Sequence, residues 1–170
     1  MYEELKILYK QLDNDMKTQF ERHVSIGDLI IDRWERAKTY GFGEGTSCYD
    51  NVLIIREVKV GKNCWIGPNV ILDGSGGLTI GDNCSISAGA QIYTHDSVQW
   101  ATSMGETEIC RKPTIIGNGV YVGPQSIVTM GITVGDQCVI GAMSLVMESL
   151  APRAKAYGIP AITKNHNESS

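Results

Sequence analysis

The run IIGNGVYVGPQSIVTMGITVGDQCVIGAMSLV, residues 115–146, places an aliphatic residue at every sixth position. These positions are Ile116, Val122, Val128, Val134, Ile140 and Val146. A repeat of fixed period is a stronger indication of fold than local propensity. The run therefore predicts a chain built from stacked six-residue units.

The same period extends back to about residue 52. Aliphatic residues fall at Ile54, Val60, Ile66 and Leu72, shift by two positions to Ile80, and continue at Ile86 and Ile92. Glycine often follows the aliphatic residue directly, where a sharp corner favours a residue without a Cβ. A second small or apolar residue comes four positions after the aliphatic one, at Cys64, Val70, Cys84, Ala90, Val120, Ser126, Ile132, Cys138 and Ser144.

Two inward positions in every six residues describe a short strand followed by a turn. Stacking such units coil on coil pairs each strand with the strand one full turn later. The pattern therefore predicts a mainly β fold, a solenoid whose core is a column of aliphatic side chains. Because Cys64, Cys84 and Cys138 occupy inward positions, we predict that they are packed as small hydrophobic residues.

The N-terminal residues follow a helical pattern instead. Apolar residues recur at intervals of three or four, at Leu5, Leu8, Leu12, Met16 and Phe20, which predicts an amphipathic helix. A second helix is predicted from about residue 28 to residue 40, with one side formed by Leu29, Ile30, Trp34 and Ala37. Gly41 suits a left-handed cap at its end.

Together these patterns divide the chain into four parts. They are an N-terminal helical cap (1–45), a solenoid (46–164), one long loop within the solenoid (97–113), and a polar tail (165–170).

Composition limits the classes of protein to which the chain can belong. With 170 residues, 42% of them hydrophobic, the sequence predicts one principal globular domain, and no window approaches the ~20 apolar residues of a membrane span. A formal net charge of −4 lacks the basic surface that nucleic acid or an anionic membrane requires, so neither is expected as a partner. The first residues do not form the apolar core of a signal peptide, and a cytoplasmic location is expected. Five cysteines without close pairs predict reduced thiols and no zinc site.

The regular pattern stops in the stretch ISAGAQIYTHD, residues 86–96. His95 takes the fourth place of the hexad that begins at Ile92, a place held in regular hexads by turn residues such as Asn69 and Gln125. The chain then abandons its period for DSVQWATSMGETEICRKPT, residues 96–114. Long excursions from a rigid scaffold concentrate binding and catalysis. We therefore expect His95 at a corner outside the packed column, beneath a loop that forms a pocket over it.

An aliphatic residue, a glycine and four variable residues make up each of the units VGKNCW, IGPNVI, IGDNCS, IGNGVY, VGPQSI, VGDQCV and IGAMSL. Over residues 52–164 this pattern resembles the hexapeptide-repeat acyltransferases. The resemblance implies a left-handed parallel β-helix of triangular section, a hand that spacing alone does not give because crossovers are otherwise right-handed. Within that family the chain is most similar to sugar O-acetyltransferases of the maltose and galactoside type, including those of lipopolysaccharide and capsule biosynthesis. The closer match is carried by QIYTHD, by the re-entry IIGNGVYVGPQSIV and by VIGAMSLV followed by AYGIPA.

The resemblance also implies an activity. An acetyl group would pass directly from acetyl-CoA to a hydroxyl of a sugar or sugar nucleotide, without an acyl-enzyme and without a metal. His95 would be the general base, a task that suits imidazole because it exchanges a proton near neutral pH. Contacts with the sugar are expected from Tyr93, Asp96, Trp100 and Tyr121, although the family commonly carries tryptophan at the last of these positions. Asp96, Glu106 and Glu108 are candidates to orient the imidazole.

For the donor, the resemblance implies a groove between two subunits of a homotrimer. By motif match the CoA contacts fall at Gly123, Ala142, Ser144, Gly158 and Pro160. Where relatives often carry Thr-Lys, this chain has Met147 and Glu148. The remaining candidates to bind the CoA phosphates are Lys164, Arg153 and Lys155. Apolar residues at outward positions fit contact between subunits, namely Trp65, Ile127, Val139 and Leu145.

Three competing functions follow from the same fold. N-acetylation of an amino-sugar nucleotide is the nearest alternative, although enzymes of that kind generally carry a different N-terminal α/β domain. A hexapeptide-repeat carbonic anhydrase needs three clustered histidines, and His23 and His166 lie outside the repeats. The third alternative is a solenoid that serves only in assembly.

Overall fold

The computed structural model describes residues 1–164, and the predicted polar tail lies outside the described residues. Within them the helices are α1 Tyr2–Phe20, α2 Ile26–Ile30, α3 Arg33–Thr39 and α4 Val98–Thr102. The strands are β1 Ser47–Cys48, β2 Leu53–Ile55, β3 Val58–Val60, β4 Trp65–Ile66, β5 Ile71–Asp73, β6 Leu78–Ile80, β7 Ser85–Ile86, β8 Gln91–Ile92, β9 His95–Asp96, β10 Cys110–Arg111, β11 Thr114–Ile116, β12 Tyr121–Val122, β13 Ile127–Val128, β14 Thr133–Val134, β15 Val139–Ile140, β16 Leu145–Val146, β17 Lys155–Tyr157 and β18 Ile162–Thr163. The fold is mainly β, as predicted.

The chain winds through three sheets in a fixed order. The first sheet contains β1, β4, β7, β12, β15, β17 and β18, the second β2, β5, β8, β13 and β16, and the third β3, β6, β11 and β14. Pairing is parallel throughout these sheets except between β17 and β18. In the regular coils each strand pairs with the strand 18 residues further along, as Ser47 does with Trp65 and Ile127 with Leu145. This register confirms the predicted parallel solenoid.

The interior is the column of aliphatic side chains that the six-residue period predicts. Of the thirteen predicted positions, twelve are buried, and Ile54 in the first coil is half-buried. The small residues at the second inward position are buried as well. Cys64, Cys84 and Cys138 are among them, and their thiols donate hydrogen bonds to backbone carbonyl oxygens one coil away. They therefore satisfy polar backbone atoms in addition to filling the core.

Corners between strands depend on backbone conformations that few residues adopt. The fourth residue of the hexad has a positive φ of 54–60° at Asn63, Asn69, Asn83, Gln125 and Gln137. Asparagine adopts this left-handed region more readily than most residues do, and none of the five side chains is branched at Cβ. The glycine that follows the aliphatic residue is needed for a different reason, which is lack of space. At Gly123 a Cβ would lie 2.6 Å from the backbone nitrogen of Ala142. Successive corners stack too closely there for any side chain.

The N-terminal residues form a helical cap whose second helix differs from the prediction. The first helix, α1, is present, but the segment predicted as one helix is divided into α2 and α3. The division occurs because Asp32 caps α3, its carboxylate accepting from the amide of Trp34 at 2.8 Å. Ile30 and Trp34, predicted on the packed side, are exposed. Gly41 has the expected left-handed conformation, with φ of 74°.

A buried ion pair fastens this cap to the first coil. Arg36 and Asp28 are both buried, and their closest side-chain atoms are 2.5 Å apart. The same guanidinium donates to the carbonyl oxygens of Cys48 in β1 and of Gly27. Breaking a satisfied buried pair of this kind is costly because it leaves an unpaired charge in the interior. The network therefore fixes the orientation of α2 and α3 over the first coil.

Apolar side chains on the outer surface follow the predicted outward register. Trp65 is 64% exposed, whereas Ile127, Val139 and Leu145 are half-buried by their neighbours on the same sheet. None of the helices in residues 1–164 has the length and apolar composition that crossing a bilayer requires.

Candidate active site

The two irregularities of the sequence meet at one corner of the solenoid. The two-residue shift in period falls between β5 and β6, and the long excursion falls one coil later, between β8 and β11. Both connections run from the second sheet to the third. Gly76 lies directly against the excursion, since a Cβ there would be 2.3 Å from the carbonyl oxygen of Thr94. The shorter insertion therefore forms the floor beneath the longer one.

The excursion leaves the solenoid as an antiparallel hairpin. β9 pairs with β10, with His95 opposite Arg111 and Asp96 opposite Cys110, and α4 lies between the two strands. His95 begins β9 and is absent from the residues with positive φ, so its backbone differs from that of the turn residues at the fourth place of the regular hexads. Pairing in the hairpin requires extended backbone instead. The imidazole does lie outside the packed column, with 32% of its side chain exposed.

The carboxylate that contacts this imidazole belongs to Asp73, the last residue of β5, directly before the floor. Nδ1 of His95 is 2.6 Å from Oδ2 of Asp73, and the Ser75 hydroxyl is 3.2 Å from the same nitrogen. The acids suggested from the sequence do not take this place. The Asp96 carboxylate accepts from the amide of Val98, and Glu106 and Glu108 line a cavity on the loop.

The Asp73 carboxylate is fully buried and richly hydrogen-bonded. Burial acts to raise its pKa, but hydrogen bonds from the hydroxyl and amide of Ser75, from the amide of Thr94 and from His95 hold the pKa of Asp73 well below its usual range. Asp73 is therefore ionised at neutral pH and can only accept from Nδ1. The proton of a neutral imidazole consequently sits on Nδ1, and Nε2 presents a free lone pair. Within the described residues Nε2 has no hydrogen-bond partner.

Two buried threonines hold the strand before His95 in place. The Thr94 hydroxyl donates to the carbonyl oxygen of Asp73 at 2.7 Å and accepts from the amide of Gly76 at 2.8 Å. The Thr114 hydroxyl donates to the carbonyl oxygen of Tyr93 at 2.8 Å. Polar groups that are buried and fully bonded resist displacement. The pair formed by Asp73 and His95 is therefore preorganised by its surroundings.

The residues predicted to contact a sugar are only partly brought together. The ring of Tyr93 meets that of His95 edge to face, with centroids 6.3 Å apart, and its hydroxyl donates to Gln91. Trp100 lies exposed on α4 and, with Arg111, lines a cavity of about 430 Å³. Tyr121 lies on β12 in the first sheet, away from the corner that carries His95.

Most residues predicted to contact CoA lie at a different corner, between the first and second sheets. Gly123 and Ala142 follow strands of the first sheet, and Ser144 precedes a strand of the second. Ser144 is buried, and its hydroxyl accepts from the amide of Gly158 at 3.1 Å. Pro160 is exposed in the turn that follows Gly158, and Lys164 is exposed next to β18.

Asp73, Ser75 and Thr94 were not anticipated as functional residues. The feature of the sequence that indicates them is the two-residue shift in the six-residue period between Leu72 and Ile80. It marks an irregular segment one coil before His95. Across residues 1–164 there is no cluster of three His, Cys, Asp or Glu side chains able to hold a metal ion. His23 lies in the cap, where its ring contacts Asp13 at 2.9 Å.

Comparison with known proteins gives consistent matches. A family model described as the hexapeptide repeat of succinyl-transferase matches residues 57–94 and 113–142, on either side of the hairpin. WcaF of Escherichia coli, assigned to colanic acid biosynthesis as an acetyltransferase, is 30% identical over 143 residues, which cover 78% of this chain and 75% of WcaF. Galactoside O-acetyltransferase of Escherichia coli is 29% identical over 103 residues, or 61% of this chain. The chain spans about half the length of that relative, 51%.

A solved structure extends the likeness to nearly the whole chain. A hexapeptide-repeat containing acetyltransferase from Vibrio cholerae superposes with a TM-score of 0.70 and 23% sequence identity. The alignment covers 95% of this chain and 92% of that one. At this level of identity the match shows a common fold.

Proposed function

Since the chain belongs to the hexapeptide-repeat acetyltransferases, we propose that it transfers the acetyl group of acetyl-CoA to a hydroxyl group of a sugar or sugar nucleotide. The observation that carries the proposal is the 2.6 Å contact between Nδ1 of His95 and Oδ2 of Asp73. It leaves Nε2 unprotonated and facing outward from the corner. That arrangement is what a general base for a hydroxyl requires.

The proton and the acetyl group move in one direct transfer. The acceptor hydroxyl donates its proton to Nε2 of His95 as its oxygen attacks the thioester carbonyl carbon. The C–S bond then breaks, and the proton passes from Nε2 to the departing sulfur to give free CoA. Asp73 remains ionised and stabilises the imidazolium that forms between these steps. The same residue holds the ring in the orientation that both proton transfers need.

We assign the two substrates to separate groups of residues. The acceptor sugar contacts Tyr93, Asp96 and Trp100, with His95 at its reacting hydroxyl, and Tyr121 contacts it from a neighbouring copy of the chain. The pantetheine arm and phosphates of acetyl-CoA contact Gly123, Ala142, Ser144, Gly158, Pro160 and Lys164. Exposure of Ala142, Gly158 and Lys164 supports this role, whereas the hydroxyl of Ser144 already accepts a hydrogen bond and contributes through its position.

We place the reaction in the synthesis of a surface polysaccharide, in the cytoplasm. The support for the pathway is the similarity to WcaF, which is assigned to colanic acid biosynthesis. The support for the compartment is the donor, because acetyl-CoA is a metabolite of the cytoplasm.

We also propose that the active form is a homotrimer. The second sheet separates the corner with His95 from the corner with Gly123 and Ala142, so one chain does not bring its own two groups together. A neighbouring copy packed against the outward side chains of that sheet, Ile127 and Leu145, would place its CoA corner beside His95. Light scattering is expected to give three times the 18.6 kDa mass of the chain. A fully active preparation with the mass of one chain would contradict the shared site.

The activity itself is tested by following free thiol released from acetyl-CoA. We expect release only when an acceptor with a free hydroxyl is present, with galactosides, glucosides, amino sugars and UDP-sugars as the panel. Mild base should remove the transferred acetyl group, because esters hydrolyse under conditions that amides survive. A base-stable product formed only from amino-sugar nucleotides would instead identify an N-acetyltransferase. Absence of release with every acceptor would support a role in assembly alone.

A further inference from the structure

The register of the hairpin places a cation beside the catalytic base. Arg111 is the residue directly opposite His95. The amide of Lys112 donates to the carbonyl oxygen of Thr94 at 3.0 Å. Thr94 and Lys112 are therefore the hydrogen-bonded pair, and they lie next to the pair of His95 and Arg111. His95 and Arg111 consequently form a non-hydrogen-bonded pair, in which the two side chains leave the same face and approach most closely.

The guanidinium of Arg111 is available to a ligand. Arg36 is buried against Asp28, and Arg153 donates to the side chain of Gln137 at 3.0 Å. Arg33 lies over the ring of Tyr49 at 4.6 Å. Arg111, by contrast, is exposed, and within residues 1–164 it has no carboxylate in salt-bridge range.

The surroundings of Arg111 suit a charged sugar. Arg111 and Trp100 line the same cavity of about 430 Å³, together with Glu106 and Glu108. Both glutamates are exposed, so water screens their repulsion of an anion. An aromatic face beside a guanidinium offers one surface for a sugar ring and one for an anionic group.

We propose that Arg111 binds an anionic group of the acceptor, so that the substrate is an acidic sugar, either a uronic acid or a sugar phosphate. The proposal rests on the proposed function, since it names the substrate class of the same site. Guanidinium and carboxylate or phosphate pair through two parallel N–H···O bonds, which fix orientation as well as position. Anchoring the anion at Arg111 holds a nearby hydroxyl of the same sugar at Nε2 of His95.

Matched acceptors test the charge preference. The first pair is D-galactose against D-galacturonate, and the second is N-acetylglucosamine against its 1-phosphate, so the pairs separate carboxylate from phosphate. Wild-type enzyme is expected to prefer the anionic member of one pair by about 10- to 100-fold in kcat/KM, and Arg111→Gln to lose that preference. Lys112→Gln removes the same charge one residue further along, from the opposite face of the strand, and should retain the preference. Arg111→Lys should retain part of it.

Two outcomes would overturn the proposal. One is equal or better use of the neutral sugars by the wild-type enzyme. The other is a rise in the KM for acetyl-CoA in Arg111→Gln with unchanged acceptor preference, because Arg111 would then bind the CoA phosphates.

Binding measured without turnover separates this proposal from the proposed function. Saturation-transfer NMR of the same four sugars with His95→Ala enzyme reports contact whether or not any sugar is acetylated. Contact by an anionic sugar that is lost in the His95→Ala/Arg111→Gln double variant would support Arg111 even if no acetylation occurs. Equal contact by both members of each pair would contradict it.

Discussion

Replacing His95 with alanine is expected to lower kcat by about 10²- to 10⁴-fold, the usual contribution of a positioned general base. The loss arises because the variant lacks Nε2, which in the proposed mechanism accepts the proton of the acceptor hydroxyl as its oxygen attacks the thioester. Binding of acetyl-CoA should change little, since the proposed CoA contacts lie at another corner of the solenoid. Thiol release at saturating substrate, with calorimetric binding of acetyl-CoA, measures both quantities.

The matched control is His23→Ala. His23 is exposed in the helical cap, where it contacts Asp13, and it does not contribute to the corner with His95. Activity close to wild type is expected for it. A folded His95→Ala enzyme that retained most of its turnover would remove His95 from the reaction.

Replacing Asp73 with asparagine is expected to lower kcat by about 10²- to 10⁴-fold while leaving both KM values within a few-fold of wild type. Asparagine keeps the shape of the side chain but removes the charge that stabilises the imidazolium. Its amide can also accept from the ring in only one of two orientations, so the proton need not remain on Nδ1. In the proposed mechanism Asp73 acts through His95, and it is therefore a positioning residue.

The tautomer of His95 distinguishes this role from a structural one. ¹⁵N NMR of histidine-labelled enzyme should show a proton on Nδ1 in the wild type and a shift toward Nε2 in Asp73→Asn. Asp15→Asn, an exposed change on α1, serves as the charge-matched control. An unchanged tautomer together with full activity in Asp73→Asn would contradict the positioning role.

The stability lost in Asp73→Asn is also expected to depend on pH. An aspartate in an unfolded chain has a pKa of about 3.9. Because the folded-state pKa of Asp73 is depressed, its stabilising contribution is present above that value and is lost as the pH falls toward the folded-state pKa. The difference in unfolding free energy between wild type and Asp73→Asn should therefore narrow below about pH 4, by about 1.4 kcal/mol per pH unit. Denaturant unfolding at pH 7 and pH 3 measures it.

The sequence predicts the solenoid well because every coil repeats the same environment. A residue at an inward position of one hexad meets the equivalent residue one coil away, as Val122 meets Ile140. One period therefore specifies the strands, the sheets and the core together. The spacing of apolar residues in a helix says less about where the helix ends. The amphipathic pattern continues through Asp32, but the Asp32 side chain caps α3 and divides the segment into two helices.

The partner of His95 was harder to predict for a different reason. Asp73 lies 22 residues before His95, at the end of β5 and directly before the insertion that interrupts the period. Regular pairing aligns Leu72 with Ile92, which places Asp73 beneath the approach to His95. The ring reaches this carboxylate because the chain leaves the solenoid after Ile92 and enters the hairpin, and no repeat describes that path.

The register of the hairpin formed by β9 and β10 likewise could not be predicted from the sequence. His95 and Arg111 are opposed across a loop with no period of its own. Their pairing follows from where the chain leaves and re-enters the solenoid, so the extended conformation of His95 could not be read from its place in a hexad.

The corner that carries both insertions is a place where the sequence can change in length during evolution. Across the excursion Leu78 pairs with Thr114, 36 residues on, yet the next coil resumes the usual 18-residue register. Doubling the length of a flexible loop costs only about 0.6 kcal/mol in closure entropy. Segments of quite different length can therefore be exchanged at this one place while the inherited scaffold stays folded. Under the proposed function, natural selection can alter acceptor preference there while the rest of the molecule stays unchanged.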